Sequence, residues 1–210
     1  MGKKSIPAIV FVLAAVLAAA CGNLSDADEH YFAGVTAQGQ GHFRTAVTRY
    51  SRALAIDPSH AEAYRNRGVS YANIRQYYDA IDDLDKAISL NPGDARAFAS
   101  RGSVLDSVGQ YDNAIEDFDA AIRLDATFTI AYANRASVYG ELGRTQDAID
   151  DLNEAIRLDP QFAPAYAVRA MAFAELGQDG ESQSDADRAL ELGYDAEVLE
   201  EELDKIKAER

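Results

Sequence analysis

The side chains most suited to metal chemistry are short runs of carboxylates that recur along the chain. The runs are Asp82-Asp83-Leu84-Asp85, Glu116-Asp117-Phe118-Asp119 and Asp150-Asp151. Calcium prefers carboxylate oxygens, but a calcium-binding loop also needs a glycine at its sharp turn, and these runs contain none. They lie in predicted helices, so we interpret them as the outward faces of those helices. The sequence therefore predicts no calcium site.

The histidines do not form a metal site either. His30, His42 and His60 are the only three, and no second ligand stands near them at the spacing of a zinc site. We interpret His42 and His60 as solvated residues at turns between helices. The chain also has no GxSxG, HExxH or phosphate-binding glycine loop. We therefore expect no catalytic residues, no metal and no cofactor, and an enzyme is the least favoured class.

Arginines form the remaining pattern that could bind a ligand. Four of them recur at intervals of 34 residues: Arg67, Arg101, Arg135 and Arg169. Such a column could bind several phosphates, but an aspartate follows each arginine after 16 residues: Asp83, Asp117, Asp151 and Asp185. One interval earlier, Ala33 and Arg49 replace both members of the pair. The sequence therefore predicts four partly buried structural ion pairs, with Arg101 and Asp117 within salt-bridge distance, and no anion site.

The single cysteine, Cys21, directly follows an apolar run. Lys3 and Lys4 precede that run, which extends over residues 6–20 and is shorter than the roughly 20 residues of a membrane-spanning helix. This arrangement is typical of a secretory signal. The last residues, Leu17-Ala18-Ala19-Ala20-Cys21, resemble the bacterial lipobox, although alanine stands where leucine is usual. The resemblance implies that residues 1–20 are cleaved and that Cys21 is lipidated; ordinary signal cleavage and an uncleaved anchor are the alternatives.

The composition limits the partners of the chain. Its net charge is −15, and 48% of its residues are hydrophobic, which is ordinary for a globular protein. The acidic residues recur among apolar ones and do not form a disordered tail. A chain this acidic repels phosphate, so we expect it to be a poor partner for nucleic acids and for anionic lipid headgroups.

Small residues recur every 34 positions, and this period identifies internal repeats. The columns are Gly34, Gly68 and Gly102; Ala46, Ala80, Ala114 and Ala148; Ala53, Ala87, Ala121, Ala155 and Ala189; and Pro58, Pro92 and Pro160. Within residues 129–162, apolar residues at spacings of three and four predict two helices. Gly143 is suited to the left-handed residue that ends the first helix, and Pro160 ends the second. Each repeat is therefore a predicted helix hairpin.

These residues resemble the tetratricopeptide repeat. The resemblance is carried by an aromatic residue (Tyr64, Phe98, Tyr132, Tyr166), a small residue four positions later, a second bulky residue (Tyr71, Leu105, Tyr139, Phe173) and the alanine and proline columns. It implies an all-α fold, an α-solenoid of five hairpins at residues 27–60, 61–94, 95–128, 129–162 and 163–196. The preceding residues 21–26 form a lipidated terminus and tether. An apolar stripe in residues 197–210 predicts a C-terminal capping helix.

The resemblance also implies a function, because first helices in this family line a concave groove that holds a peptide or a helix of a partner. The groove residues would be Tyr31, Val35, Arg65, Asn66, Val69, Ala99, Ser103, Asp106, Ala133, Ser137, Ala167 and Met171. The expected function is a protein-interaction scaffold, lipid-anchored in the bacterial envelope and at the periplasmic face of the outer membrane in a Gram-negative cell. Its partners would be envelope enzymes, or secretion or pilus components if it is a pilotin-like assembly factor.

Overall fold

The computed structural model describes residues 25–209, so the predicted signal peptide and Cys21 lie outside the described residues. Within that range the chain forms eleven α-helices and no strand, which confirms the all-α prediction. The helices are α1 (Asp26–Gly39), α2 (Phe43–Ile56), α3 (Ala61–Asn73), α4 (Tyr77–Leu90), α5 (Ala95–Ser107), α6 (Tyr111–Leu124), α7 (Thr129–Glu141), α8 (Thr145–Leu158), α9 (Ala163–Glu175), α10 (Asp179–Glu191) and α11 (Ala196–Glu209). None of these helices is both long and apolar enough to cross a membrane.

The helices belong to two compact units that divide after Val108. Unit 1 contains α1 to α5 and unit 2 contains α6 to α11. Consecutive helices pack as hairpins, α1 with α2 and α3 with α4 in unit 1, and α7 with α8 and α9 with α10 in unit 2. Each hairpin also packs on the next helix along the chain within its unit. This packing of consecutive helix pairs confirms the predicted solenoid class.

The turns inside the hairpins repeat with the sequence. Gly143 has a φ of 68°, as predicted, and Gly41, Gly109 and Gly177 occupy the same place in other repeats with φ values of 73° to 75°. Arg75 occupies that place in the second repeat with a φ of 62°, and it is the one described residue other than glycine with positive φ. The left-handed residue ends the first helix and starts the turn to the second.

Small residues permit the close packing inside a hairpin. A Cβ atom on Gly34 would lie 2.5 Å from Cε1 of Tyr50, and one on Gly68 would lie 2.9 Å from Cγ of Leu84. Tyr50 is completely buried, and its hydroxyl donates a hydrogen bond to Oε1 of Gln38 at 2.7 Å. Gly34, the first glycine of the column, is therefore required, because any side chain there would collide with the ring of Tyr50.

Helix α11 closes the end of unit 2. Leu199 and Leu203 are 1% and 7% exposed and pack on a cluster of buried alanines from α9 and α10. The cluster consists of Ala167, Ala170, Ala174, Ala186 and Ala189. The opposite side of α11 is charged and solvent-exposed, so the helix has the amphipathic form that a capping element requires.

Candidate partner-binding surfaces

The repeated arginines of the first helices bind aspartates of the second helices. Nε and Nη2 of Arg67 donate to the two carboxylate oxygens of Asp83, both at 2.7 Å. Arg135 binds Asp151 through the same atoms, both at 2.7 Å. Arg169 binds Asp185 at 2.6 and 2.8 Å. The predicted ion pairs are therefore present in three repeats as two-point contacts, the geometry that a guanidinium fork favours.

Each arginine also has a second partner, 16 residues before it in the sequence. The third guanidinium nitrogen, Nη1, donates to this partner on the second helix of the preceding repeat. The partners are Ser51 for Arg67 at 2.9 Å, Asp85 for Arg101 at 2.5 Å, Asp119 for Arg135, and Asn153 for Arg169 at 2.6 Å. Sequence analysis missed these contacts, although Ser51, Asp85, Asp119 and Asn153 form a column of polar residues at the repeat period. Arg67, Arg135 and Arg169 therefore each connect three helices.

Aromatic rings and burial complete the environment of these arginines. The guanidinium of Arg67 lies 5.5 and 5.8 Å from the ring centroids of Tyr64 and Tyr71, within range of a cation–π interaction. The hydrogen bond to Asp83 raises the pKa of Arg67 above its ordinary value. Burial raises the pKa of the Asp83 carboxyl, and the paired guanidinium opposes that shift. The guanidinium of Arg67 and the carboxylate of Asp83 therefore neutralise each other, and the pair has a structural role.

This arrangement corrects part of the interpretation of the acidic runs. Asp82 and Asp85 are exposed, as expected for an outward face, but Asp83 is only 6% exposed. Asp117 and Asp151 are equally buried. Arg101 and Asp117 belong to different units, so their contact stays a prediction. In each of the other three repeats the guanidinium faces second helices, which contradicts an anion site in the groove.

The predicted groove residues at the start of unit 1 bind one another. Nδ2 of Asn66 donates to the hydroxyl of Tyr31 at 3.2 Å, and Nη1 of Arg65 donates to Asp94 at 2.5 Å. The ring of His60 lies 4.5 Å from that of Tyr31, and Nδ1 of His60 accepts a hydrogen bond from the backbone N–H of Ala63. His60 therefore lies at the turn before α3, as expected, but it is a partly buried helix cap and not a fully solvated residue.

Two predicted groove residues of unit 1 meet in an open cavity between α3 and α5. The cavity has a volume of about 340 Å³. Val69 and Ser103 line it together with Ala72, Asn73, Tyr77, Ser100, Val104 and Ser107. The hydroxyls of Ser103 and Ser107 donate to backbone carbonyls of their own helix, so the cavity offers few unused donors. Val35 and Asp106 are half-buried on α1 and α5, outside this lining.

Unit 2 contains a cleft of about 400 Å³ with a different character. Ser137 and Met171, both predicted groove residues, line it with Val168 of α9 and Ile206 of α11. Three glutamates, Glu141, Glu175 and Glu202, complete the wall beside small residues. Glu141 and Glu175 are exposed, Glu175 accepts a hydrogen bond from Thr145, and Glu202 binds Lys205. The cleft therefore has an apolar floor and acidic side chains along its wall.

Three predicted groove residues are buried or almost completely buried. Ala99 is 5% exposed, Ala133 is 9% exposed and Ala167 is completely buried. Alanine is short, and at these places its methyl group fills the contact between neighbouring helices. These residues belong to the packed interior, and the prediction that they line the groove is corrected. The α11 residues Glu202 and Ile206 were missed because the resemblance concerned only the first helices, whereas Glu141 and Glu175 end first helices and were not among the positions that it assigned to the groove.

Comparisons with known proteins agree with this architecture. Family models described as tetratricopeptide repeat match residues 61–94, 95–128 and 129–162, and a TPR repeat model matches residues 39–74. A comparison with curated proteins found no match. The matched repeats together span the helices α2 to α8, which hold most of the arginine contacts described above.

Several solved structures share the fold. The crystal structure of MamA is 28% identical, with a TM-score of 0.66, and the match covers 76% of this chain and 93% of that one. YrrB, a TPR protein with an unusual peptide-binding site, is 22% identical with a TM-score of 0.63, covering 91% and 96%. PilF of Pseudomonas aeruginosa is 18% identical with a TM-score of 0.76, covering 87% of both chains. The two structures of lower identity show a common fold.

Proposed function

The chain belongs to the tetratricopeptide repeat family, and we propose that it is a non-catalytic scaffold that holds a peptide or a helix of a partner protein. The cleft of unit 2 is the observation that carries this proposal. Its floor contains Val168, Met171 and Ile206, and its wall contains Glu141 and Glu175. An apolar side chain flanked by lysine or arginine fits this combination, since the apolar residue fills the floor and the cations meet the glutamates.

We further propose that the scaffold is a bacterial envelope lipoprotein. The lipobox-like sequence that ends at Cys21 supports this proposal. A lipid on Cys21 would hold the first helix close to a membrane, because only residues 22–25 separate the two. In a Gram-negative cell the periplasmic face of the outer membrane is the proposed location. The partners would be envelope enzymes; a pilotin-like role would instead give secretion or pilus components as partners.

The cleft can be blocked without disturbing the core. Ser137 is exposed and lines the cleft, whereas Ala133 is too buried to accept a bulky residue without repacking. Ser137→Trp should fill the cleft, and Ser184→Trp is the matched control because Ser184 is exposed on α10 outside it. Both variants should keep the helical content of the parent chain by circular dichroism.

The measurement is photo-crosslinking in cells, followed by identification of the captured proteins. The crosslinking residue is placed at Gln146, which is exposed on α8 next to Thr145 of the cleft. Ser137→Trp should lower capture of the partner at least about tenfold, the effect expected when a bulky group excludes a well-packed contact. Ser184→Trp should leave capture unchanged. Equal capture by the two variants would show that the partner binds elsewhere, and then Ser103→Trp tests the cavity of unit 1.

A further inference from the structure

Helix α2 carries a stripe of positive charge on an acidic protein. Arg44, Arg49 and Arg52 lie with Thr45 and Thr48 around a shallow cavity of about 350 Å³. Residues four apart share one face of a helix, so the stripe covers about two turns, or roughly 12 Å. Helix α2 contains no acidic residue, and none of the three arginines forms an ion pair with any residue in the described range 25–209. The stripe is therefore an unneutralised charge of +3.

The other repeats show that this charge is specific to the first hairpin. The five places held in α2 by Arg44, Thr45, Thr48, Arg49 and Arg52 can be compared at intervals of 34 residues. There α4 has Tyr78, Asp79, Asp82, Asp83 and Lys86; α6 has Asp112, Asn113, Glu116, Asp117 and Ala120; and α8 has Gln146, Asp147, Asp150, Asp151 and Glu154. The stripe is thus negative in all three of these second helices and positive in α2. Arg49 occupies the place where the later repeats carry the aspartate that binds their arginine. No arginine of the first repeat needs such a partner, because Ala33 occupies its place.

We propose that the arginine stripe of α2 is a binding site for the anionic headgroups of a lipid bilayer. Guanidinium groups recognise phosphate oxygens well, and two of the three, Arg44 and Arg52, are exposed. The choice of a bilayer rests on the proposed lipid anchor, since Cys21 precedes α1 by five residues and the first hairpin is the part of the chain nearest to that anchor. The stripe would orient the tethered first hairpin against the membrane.

The net charge of −15 does not prevent this contact. Charges are screened beyond about 8 Å at physiological ionic strength, so a surface responds to the local stripe more than to distant carboxylates. Each basic residue next to an anionic membrane raises the partition coefficient of the protein about fivefold. The stripe lies on α2, whereas the proposed partner cleft is lined by residues of α7, α8, α9 and α11. Lipid and partner would therefore occupy different helices.

The test is sedimentation with vesicles of the proposed mature chain, residues 21–210, in a Cys21→Ser background so that neither the signal segment nor a lipid contributes. Phosphatidylcholine vesicles are compared with vesicles that also contain phosphatidylglycerol. The second should bind more protein, and the difference should disappear at high salt. Arg44→Glu/Arg52→Glu should reduce the binding that depends on phosphatidylglycerol at least about tenfold. Arg44→Lys/Arg52→Lys should retain most of it, because the attraction needs the charge.

The matched control is Arg96→Glu/Arg123→Glu, which changes the net charge by the same amount at two other exposed arginines. It should leave binding within about twofold of the parent. Equal loss in the two double variants would overturn the proposal, because net charge alone would then explain binding. Unchanged vesicle binding with loss of self-association on ultracentrifugation would assign the stripe to a second copy of the chain. Neither result depends on partner capture, so failure here leaves the proposed scaffold function intact.

Discussion

At the scale of single residues, the repeated arginines of the first helices connect neighbouring helices of the solenoid. Arg67 uses three nitrogens to contact two second helices, through Asp83 at 2.7 Å and Ser51 at 2.9 Å. Its side chain is 18% exposed and that of Asp83 is 9% exposed. A buried ion pair of this kind stabilises the protein little more than an apolar pair of the same volume would. Removing one member is nevertheless strongly destabilising, because the other charge is then buried without a partner.

Asp83→Ala should therefore destabilise the protein strongly, by about 3–5 kcal/mol, because it leaves the guanidinium of Arg67 buried without its carboxylate. Glu154→Ala is the control, since it removes the partner of Arg157, whose side chain is 66% exposed. Such an exposed pair contributes little to stability, because solvent screens both charges. The free energy of unfolding in urea measures both changes. Similar values for the two variants would show that the buried pair has no special role.

Ser182 is a second residue whose environment predicts a stability change. It is 1% exposed on α10, and its hydroxyl has no hydrogen-bond partner in the described part of the chain. Alanine occupies the same place in the earlier repeats, as at Ala148. Ser182→Ala should stabilise the protein by about 1 kcal/mol, because an unsatisfied buried hydroxyl is unfavourable. Ser184→Ala, at an exposed site of the same helix, should change the melting temperature little. A destabilised Ser182→Ala would imply a partner for the hydroxyl.

At the scale of elements, a hairpin with a small interior depends on its neighbours. The buried interior of the last hairpin consists largely of alanines, among them Ala170, Ala186 and Ala189, and the buried leucines that cover them are supplied by α11. Alanine allows close helix packing but buries little apolar area of its own. Helix α11 therefore has two functions in unit 2, since it covers the alanines and also forms part of the cleft through Ile206.

Leu199→Ala should destabilise the last hairpin by about 2–5 kcal/mol, the usual effect of removing a buried leucine side chain. Val198→Ala is the control, because Val198 is 50% exposed on the same turn of α11. Hydrogen exchange should show faster amide exchange in α9 and α10 of the leucine variant. Unchanged exchange in α9 and α10 would mean that the alanine cluster is stable without its cap.

At the scale of the whole molecule, the proposed function needs two features on one chain, a partner-binding site and a membrane anchor. The described helices provide the candidate partner site in unit 2 and the positive stripe in unit 1. The anchor is proposed for Cys21, which precedes the described residues. A lipidated cysteine with more than one acyl chain is sufficient for stable attachment.

Cys21→Ser should abolish incorporation of labelled palmitate and move the protein from the membrane to the soluble fraction, because a serine cannot carry the thioether-linked lipid. Cells that express the parent chain at the same level are the control. Fractionation followed by immunoblotting measures the change, and the size of the band reports cleavage after residue 20. A variant that is still cleaved and released at the parental rate would indicate ordinary signal cleavage.

The periodic sequence was sufficient to predict the features that lie within one repeat. Helix positions, the left-handed turn at Gly143 and the pairing of Arg67 with Asp83 all follow from short spacings. Arg67 and Asp83 are each eight residues from Arg75, the left-handed residue of the turn, so they lie level on the two antiparallel helices whenever both helices form. The joint replacement of the pair by Ala33 and Arg49 in the first repeat was the signal for this contact.

Contacts between repeats depended on tertiary structure. The second partner of each arginine, such as Asn153 for Arg169 at 2.6 Å, depends on how one hairpin is rotated against the next. The same rotation buries Ala167 and leaves Ser137 exposed, although the sequence pattern treats both as groove positions. The cleft of unit 2 also requires α11, which belongs to no repeat. Repeat spacing determines which residues share a helix face, whereas the packing angle between neighbouring hairpins decides which of those faces reaches solvent.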